Sequence, residues 1–127
     1  VVNTIQYINI ATTGDAQDFG DLLGIGYGNA SFGNRTRGIY LNVSPRVNEY
    51  ITISSTGNSV GFSDAVTSYD NNGAANEIRG IYSYSNGTNT MEYFTIASSS
   101  TGVDFGDMAT LRGSYDGNTS DCHGGLD

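Results

Sequence analysis

Hydrophobic and polar positions alternate over short stretches of the chain and then give way to small polar residues. Residues 4–12 read TIQYINIAT. In an extended chain Ile5 and Tyr7 project to one side, and Gln6, Ile8 and Ile10 to the other. Both sides carry bulk, which predicts a strand over 4–12 in a sheet packed on both faces. Thr13-Gly14 closes this stretch with turn chemistry, as Thr56-Gly57 and Thr101-Gly102 do further on. A short stretch at Phe19-Gly20-Asp21-Leu22 follows, then a weaker one reaching Tyr27, with counterparts at Tyr69 and Tyr115. Loops are predicted next, at Gly28-Asn29, Asp70-Asn71-Asn72-Gly73 and Asp116-Gly117-Asn118. Arg-Gly-Ile-Tyr, at 37–40 and again at 79–82, reads as a further strand.

These stretches recur in register. Tyr7, Tyr50 and Tyr93 are 43 positions apart, as are Ile10, Ile53 and Ile96, then Phe19, Phe62 and Phe105, then Asp21, Asp64 and Asp107. A second string follows each: TRGIYLNV at 36–43, IRGIYSYS at 78–85, and a degenerate CHGGLD at 122–127. The chain is therefore one repeat domain over 1–127, with repeats at about 4–46, 47–89 and 90–127. About four short strands fit in each repeat, the dimension of one propeller blade. The expected fold is all-β: three four-stranded propeller-type blades, whose ring is completed by missing chain or by oligomerisation.

Composition agrees with turns and strands. Gly, Ser, Thr and Asn supply nearly half of the 127 residues, while Leu, Lys and Glu, good helix formers, are scarce or absent. Five Lys+Arg against 13 Asp+Glu give a net charge of −8, and every cation is an arginine. That balance excludes a nucleic-acid backbone or an anionic membrane as partner. No apolar run approaches a membrane span. The chain opens on Val1 rather than Met, the expectation for a processed product or a segment of something longer. The single cysteine, Cys122, excludes an internal disulfide framework.

The order of an Arg-Gly-Ile-Tyr strand, a polar turn, a Glu-Tyr-x-Thr-Ile strand, a Thr-Gly turn, Phe-Gly-Asp-Met and then an arginine resembles a kelch-type propeller motif. Tyr50 and Tyr93 match its tyrosine, Phe62 and Phe105 its aromatic, and Arg112 its arginine. The strings are also similar to kelch-like repeats in virion-associated proteins of tailed phages of marine and cyanobacterial hosts. Some of those finish near a string resembling Ser120-Asp121-Cys122-His123-Gly124-Gly125-Leu126, which implies a natural C-terminus here. In kelch order the chain enters at a third strand and leaves at a second. Three blades do not close a ring. The expectation is a homo-oligomer, in which one copy's tail strands complete the first blade of the next.

Candidate chemistry is sparse. Cys122 and His123 are adjacent, and neighbours on a strand face opposite ways, so they do not form a nucleophile–base pair. Zinc needs more ligands than they supply. Asp21, Asp64 and Asp107 conform to the repeat and read as turn residues that accept backbone N–H bonds, not as a glycosidase pair. Asp70, Asn72 and Glu77, with Asp116, Asn118 and Asp121, place oxygen ligands on Gly-containing loops that suit calcium. Asx turns have the same composition, and both readings stand. Asn29, Asn34, Asn42, Asn86 and Asn118 open Asn-x-Ser/Thr triplets, which a chain this rich in those residues produces by composition alone. Tyr27, Tyr69, Tyr82, Tyr84 and Tyr115 lie in or beside polar loops. There they serve either as a recognition surface for sugars or proteins, or as packing between blades.

The expected function is a non-enzymatic virion structural or adhesive module, extracellular and without a required cofactor. It presents loops to other virion proteins or to a host surface glycan. The alternatives are a filament-forming surface protein and a secreted carbohydrate-binding or carbohydrate-processing propeller.

Overall fold

Short runs of β-branched and aromatic residues between turns cannot build long strands, and they do not. The computed structural model describes residues 2–25, 30–41, 47–64, 72–83, 88–99 and 101–110. Among these there is no helix, and the protein is all-β. Among the described residues ten strands run in order: β1 (Thr4–Tyr7), β2 (Gln17–Asp21), β3 (Ala30–Gly33), β4 (Arg37–Leu41), β5 (Val47–Thr52), β6 (Val60–Asp64), β7 (Asn72–Ala75), β8 (Arg79–Ser83), β9 (Thr90–Thr95) and β10 (Val103–Asp107). They form a two-stranded first sheet (β1-β2), a four-stranded middle sheet (β3-β4-β5-β6) and a four-stranded third sheet (β7-β8-β9-β10), all antiparallel.

The sheets cut across the sequence repeats. Each four-stranded sheet joins the Arg-Gly-Ile-Tyr strand of one repeat to the tyrosine strand of the next, in the pairs β4–β5 and β8–β9. Arg37 and Arg79 are 42 positions apart, whereas the tyrosines are 43 apart, so the extra residue falls in the connection between β8 and β9.

Three irregularities repeat with the sequence. Register shifts once in each of the pairs β1–β2, β5–β6 and β9–β10, and each time the residue left without a cross-strand partner is the phenylalanine: Phe19, Phe62 or Phe105. A bulge of this kind turns the strand and re-aims its side chain. Gly20 and Gly106 follow their bulges with φ of 152° and 131°, and Ser63 holds that position in the middle sheet.

The sequence expectation is corrected at two places. The strand expected over 4–12 ends at Tyr7, which pairs with Gln17; among the described residues Ile8 and Asn9 lack the second neighbouring strand that Ile51 and Thr52 find in β4. A turn follows, in which Asn9 Oδ1 accepts the Ala11 N–H at 2.9 Å and Thr12 N donates to the Asn9 carbonyl at 3.4 Å; its main-chain bond recurs as Ser55 N to the Thr52 carbonyl and Ser98 N to the Thr95 carbonyl, both 3.2 Å. Asn72-Gly73, expected as loop, opens β7 instead. Gly73 is there for close approach: a Cβ would stand 2.8 Å from Phe32 Cδ1 and 3.1 Å from the Ser31 carbonyl.

The core lies between the middle and third sheets. Ala30, Phe32, Ile39, Leu41 and Phe62 from one side meet Ala75, Tyr82, Phe94 and Ile96 from the other. Phe32 stacks on Phe94 at 6.4 Å, and Phe62 meets Phe94 edge-on at 5.5 Å.

Candidate functional site

The repeated residues converge on one constellation. Tyr7 and Phe19, Tyr50 and Phe62, and Tyr93 and Phe105 form edge-to-face pairs with ring centroids at 6.1, 6.2 and 6.3 Å. The bulge brings each phenylalanine to its tyrosine, since both lie on one face of adjacent strands. Arg37 lies over the Tyr50 ring at 4.3 Å and Arg79 over Tyr93 at 4.5 Å. Arg37 also reaches across to the third sheet and donates from Nη1 to the Ile96 carbonyl at 2.9 Å. Asn34 supports it: Oδ1 accepts the Thr36 and Arg37 N–H groups, both at 2.9 Å, while Nδ2 donates to the Glu77 carbonyl at 2.7 Å. Asn76 caps the corresponding turn through the Ile78 and Arg79 N–H groups.

A second arrangement that recurs with the repeat is polar and lies in the interior. Glu49 is fully buried, and its Oε2 accepts the Leu23 N–H at 2.8 Å and the Ser59 hydroxyl. In the third sheet Glu92 holds this position and accepts the Tyr82 hydroxyl instead. Gly102 stands where Ser59 stands, and a Cβ there would lie 2.6 Å from the Tyr82 oxygen. One carboxylate position thus takes a serine hydroxyl in one unit and a tyrosine hydroxyl, with room made by glycine, in the next, while Glu49 Oε1 is buried without a hydrogen-bond partner among the described residues.

Beside Glu49 a cavity of about 540 Å³ opens between the first and middle sheets. Val2, Thr4, Ile5 and Leu22 line one side; Gly38, Tyr40, Ile51 and Ser59 are among those lining the other. Glu49 is the one carboxylate among the described lining residues. Acid–base hydrolysis of a glycoside needs a pair.

Tyr82 belongs to the core rather than to a recognition surface. It is fully buried, stacks on Phe94 with centroids 5.2 Å apart, and decides for packing over display at that position. Tyr27, Tyr69, Tyr84 and Tyr115 lie outside the described residues, as do Asp70, Asp116, Asn118, Asp121, Arg112, Cys122 and His123. Of the calcium candidates that are described, Asn72 sits in β7 and Glu77 pairs with Arg35 Nε at 2.9 Å. Among the described residues no group of three or more His, Cys, Asp or Glu could hold a metal. Asp21, Asp64 and Asp107 end β2, β6 and β10; at Asp21 it is the main chain that makes the contact, its carbonyl accepting Ser59 N at 2.9 Å. Asn34, the one glycan-triplet asparagine described, spends its side chain on the turn and the inter-sheet bond.

Sequence reasoning missed Glu49, which is buried, and its half-buried counterpart Glu92. The signal was present: a charged residue recurring at 43 positions in mid-strand, next to the repeated tyrosine. No family model, curated protein or solved structure matches the chain.

Proposed function

We propose that this protein is a non-catalytic structural and adhesive module, built of propeller-type blades and carried on a virion, that presents its connecting loops for contact with a host surface or with other virion proteins. The observation that carries this reading is where the repeated side chains are spent. Arg37, Tyr50 and Phe62 and their counterparts Arg79, Tyr93 and Phe105 hold sheets together, as do Glu49 and Glu92. Positions that serve architecture in every unit leave function to the connections between strands. Two sheets of the same four-strand order, packed face to face, support the blade reading. The lone carboxylate beside the cavity favours display over hydrolysis. The virion assignment rests on the resemblance of the Tyr-Ile-Thr-Ile and Phe-Gly-Asp strings to phage repeats.

Immuno-electron microscopy of native material with an antibody against the 127-residue chain tests it. Label on knobs or fibres attached to particles is the expected result. Label on free rings or on filaments without particles would overturn it.

A further inference from the structure

The contact between the middle and third sheets is made of two unlike halves. One half is the outer face of the middle sheet: Arg37, Ile39, Tyr50 and Phe62. Ile39 is the cross-strand partner of Tyr50, and Phe62 is 1% exposed. The other half is the end of the tyrosine strand of the third sheet, Phe94 and Ile96, with Ile96 supplying the carbonyl that Arg37 grips.

Both halves occur again, uncovered, at opposite ends of the described chain. The third sheet repeats the first half as Arg79, Ile81, Tyr93 and Phe105, with Ile81 opposite Tyr93 and Arg79 over the Tyr93 ring. Here Phe105 is 48% exposed and Arg79 is exposed. The first sheet repeats the second half: Ile8 and Ile10 stand 86 positions before Phe94 and Ile96, and they are 62% and 95% exposed. The positions of a main-chain contact recur in the same way. Gly57 N donates to the Phe19 carbonyl at 2.7 Å and joins the first sheet to the middle one; Gly14 and Phe105 hold these two positions at the open ends.

We infer that the outer face of the third sheet docks on the first sheet of a second copy of this chain, with Phe105 and Ile81 covered by Ile8 and Ile10 of the neighbour and Arg79 gripping its Ile10 carbonyl. The two surfaces differ, so the contact is head-to-tail, and copies join into a ring or an open row. The inference rests on the three-unit repeat and not on the virion assignment. Its failure leaves the particle-labelling experiment untouched.

The test is the mass of the 127-residue chain by light scattering across a concentration series, with far-UV circular dichroism to confirm folding. The expected result for the parent chain is a multiple of the 13.4 kDa monomer. Phe105→Asp spoils one end and Ile10→Asp the other, so each variant alone runs as a monomer. Mixed, they keep one good end each and form a dimer that grows no further. A parent chain that stays monomeric overturns the inference. So does an Ile10→Asp variant that still self-associates, because the contact is then not head-to-tail.

Discussion

Arg37 donates from Nη1 to the carbonyl of Ile96 at 2.9 Å while its guanidinium carbon stands 4.3 Å from the centre of the Tyr50 ring. One side chain thus ties its own sheet together and fastens it to the next. A charge-assisted hydrogen bond contributes about 1.5–3 kcal/mol and an exposed cation–π contact about 0.5–1 kcal/mol. Arg37→Ala is therefore expected to lower unfolding free energy in urea by about 2–4 kcal/mol. Arg37→Lys restores only part, because an ammonium lacks the planar fork. Arg79→Ala, measured in the Ile10→Asp background to keep the chain monomeric, costs about 1 kcal/mol or less, from ring contact alone.

Phe62 and Phe105 occupy the same bulge in successive units, yet one is covered and the other is not. Truncating a buried phenylalanine costs about 3–5 kcal/mol. Phe62→Ala should reach that range, whereas Phe105→Ala in the same monomeric background should cost about 1 kcal/mol or less, as surface changes do. Equal losses by chemical denaturation would mean that the third sheet's outer face is covered within one chain.

Gly80 lies beneath the Phe32 ring, which a Cβ would overlap. Gly80→Ala is expected to destabilise by about 1–3 kcal/mol or more, as overpacking does. Gly38 holds the same place in the middle sheet but borders the cavity, with Ile51 Cγ1 its nearest neighbour at 3.2 Å. Gly38→Ala should cost less than Gly80→Ala. Phe32→Leu should partly rescue Gly80→Ala in a double-mutant cycle read from urea midpoints.

Tyr82 gives a separable test of its hydroxyl and its ring. Tyr82→Phe removes the bond to Glu92 and keeps the stack on Phe94, for a loss of about 0.5–1.5 kcal/mol. Tyr82→Ala opens a cavity in the core and costs about 3–5 kcal/mol. Ser59→Ala is the matching change at Glu49, where Leu23 N still donates, so its cost should fall in the same range as that of Tyr82→Phe.

The alternation of Arg37 to Leu41 and of Arg79 to Ser83 was readable as strand because both faces of those residues are used. The 43-residue register singled out Tyr7, Tyr50 and Tyr93 and Phe19, Phe62 and Phe105, but not that each tyrosine meets its phenylalanine. What the sequence concealed depends on neighbours. Asn72-Gly73 has turn composition, and only the closeness of Ser31 and Phe32 explains why a strand needs that glycine. Ile8 and Ile10 look as buried as Phe94 and Ile96, since repetition copies a pattern but not the surface that lies against it. The bulges were equally hidden, because a one-residue register shift leaves no mark in hydrophobic spacing.

The unlike halves of the inter-sheet contact give any row of such sheets a direction. Adding a unit creates one junction and moves an open end outward without removing it. A row of any length keeps two unsatisfied ends, and only curvature that brings them together can abolish both. Stability then accrues junction by junction, and the units at the ends hold fewer junctions than those inside. Wear, whether by protease, heat or denaturant, is directed to the termini of the row first.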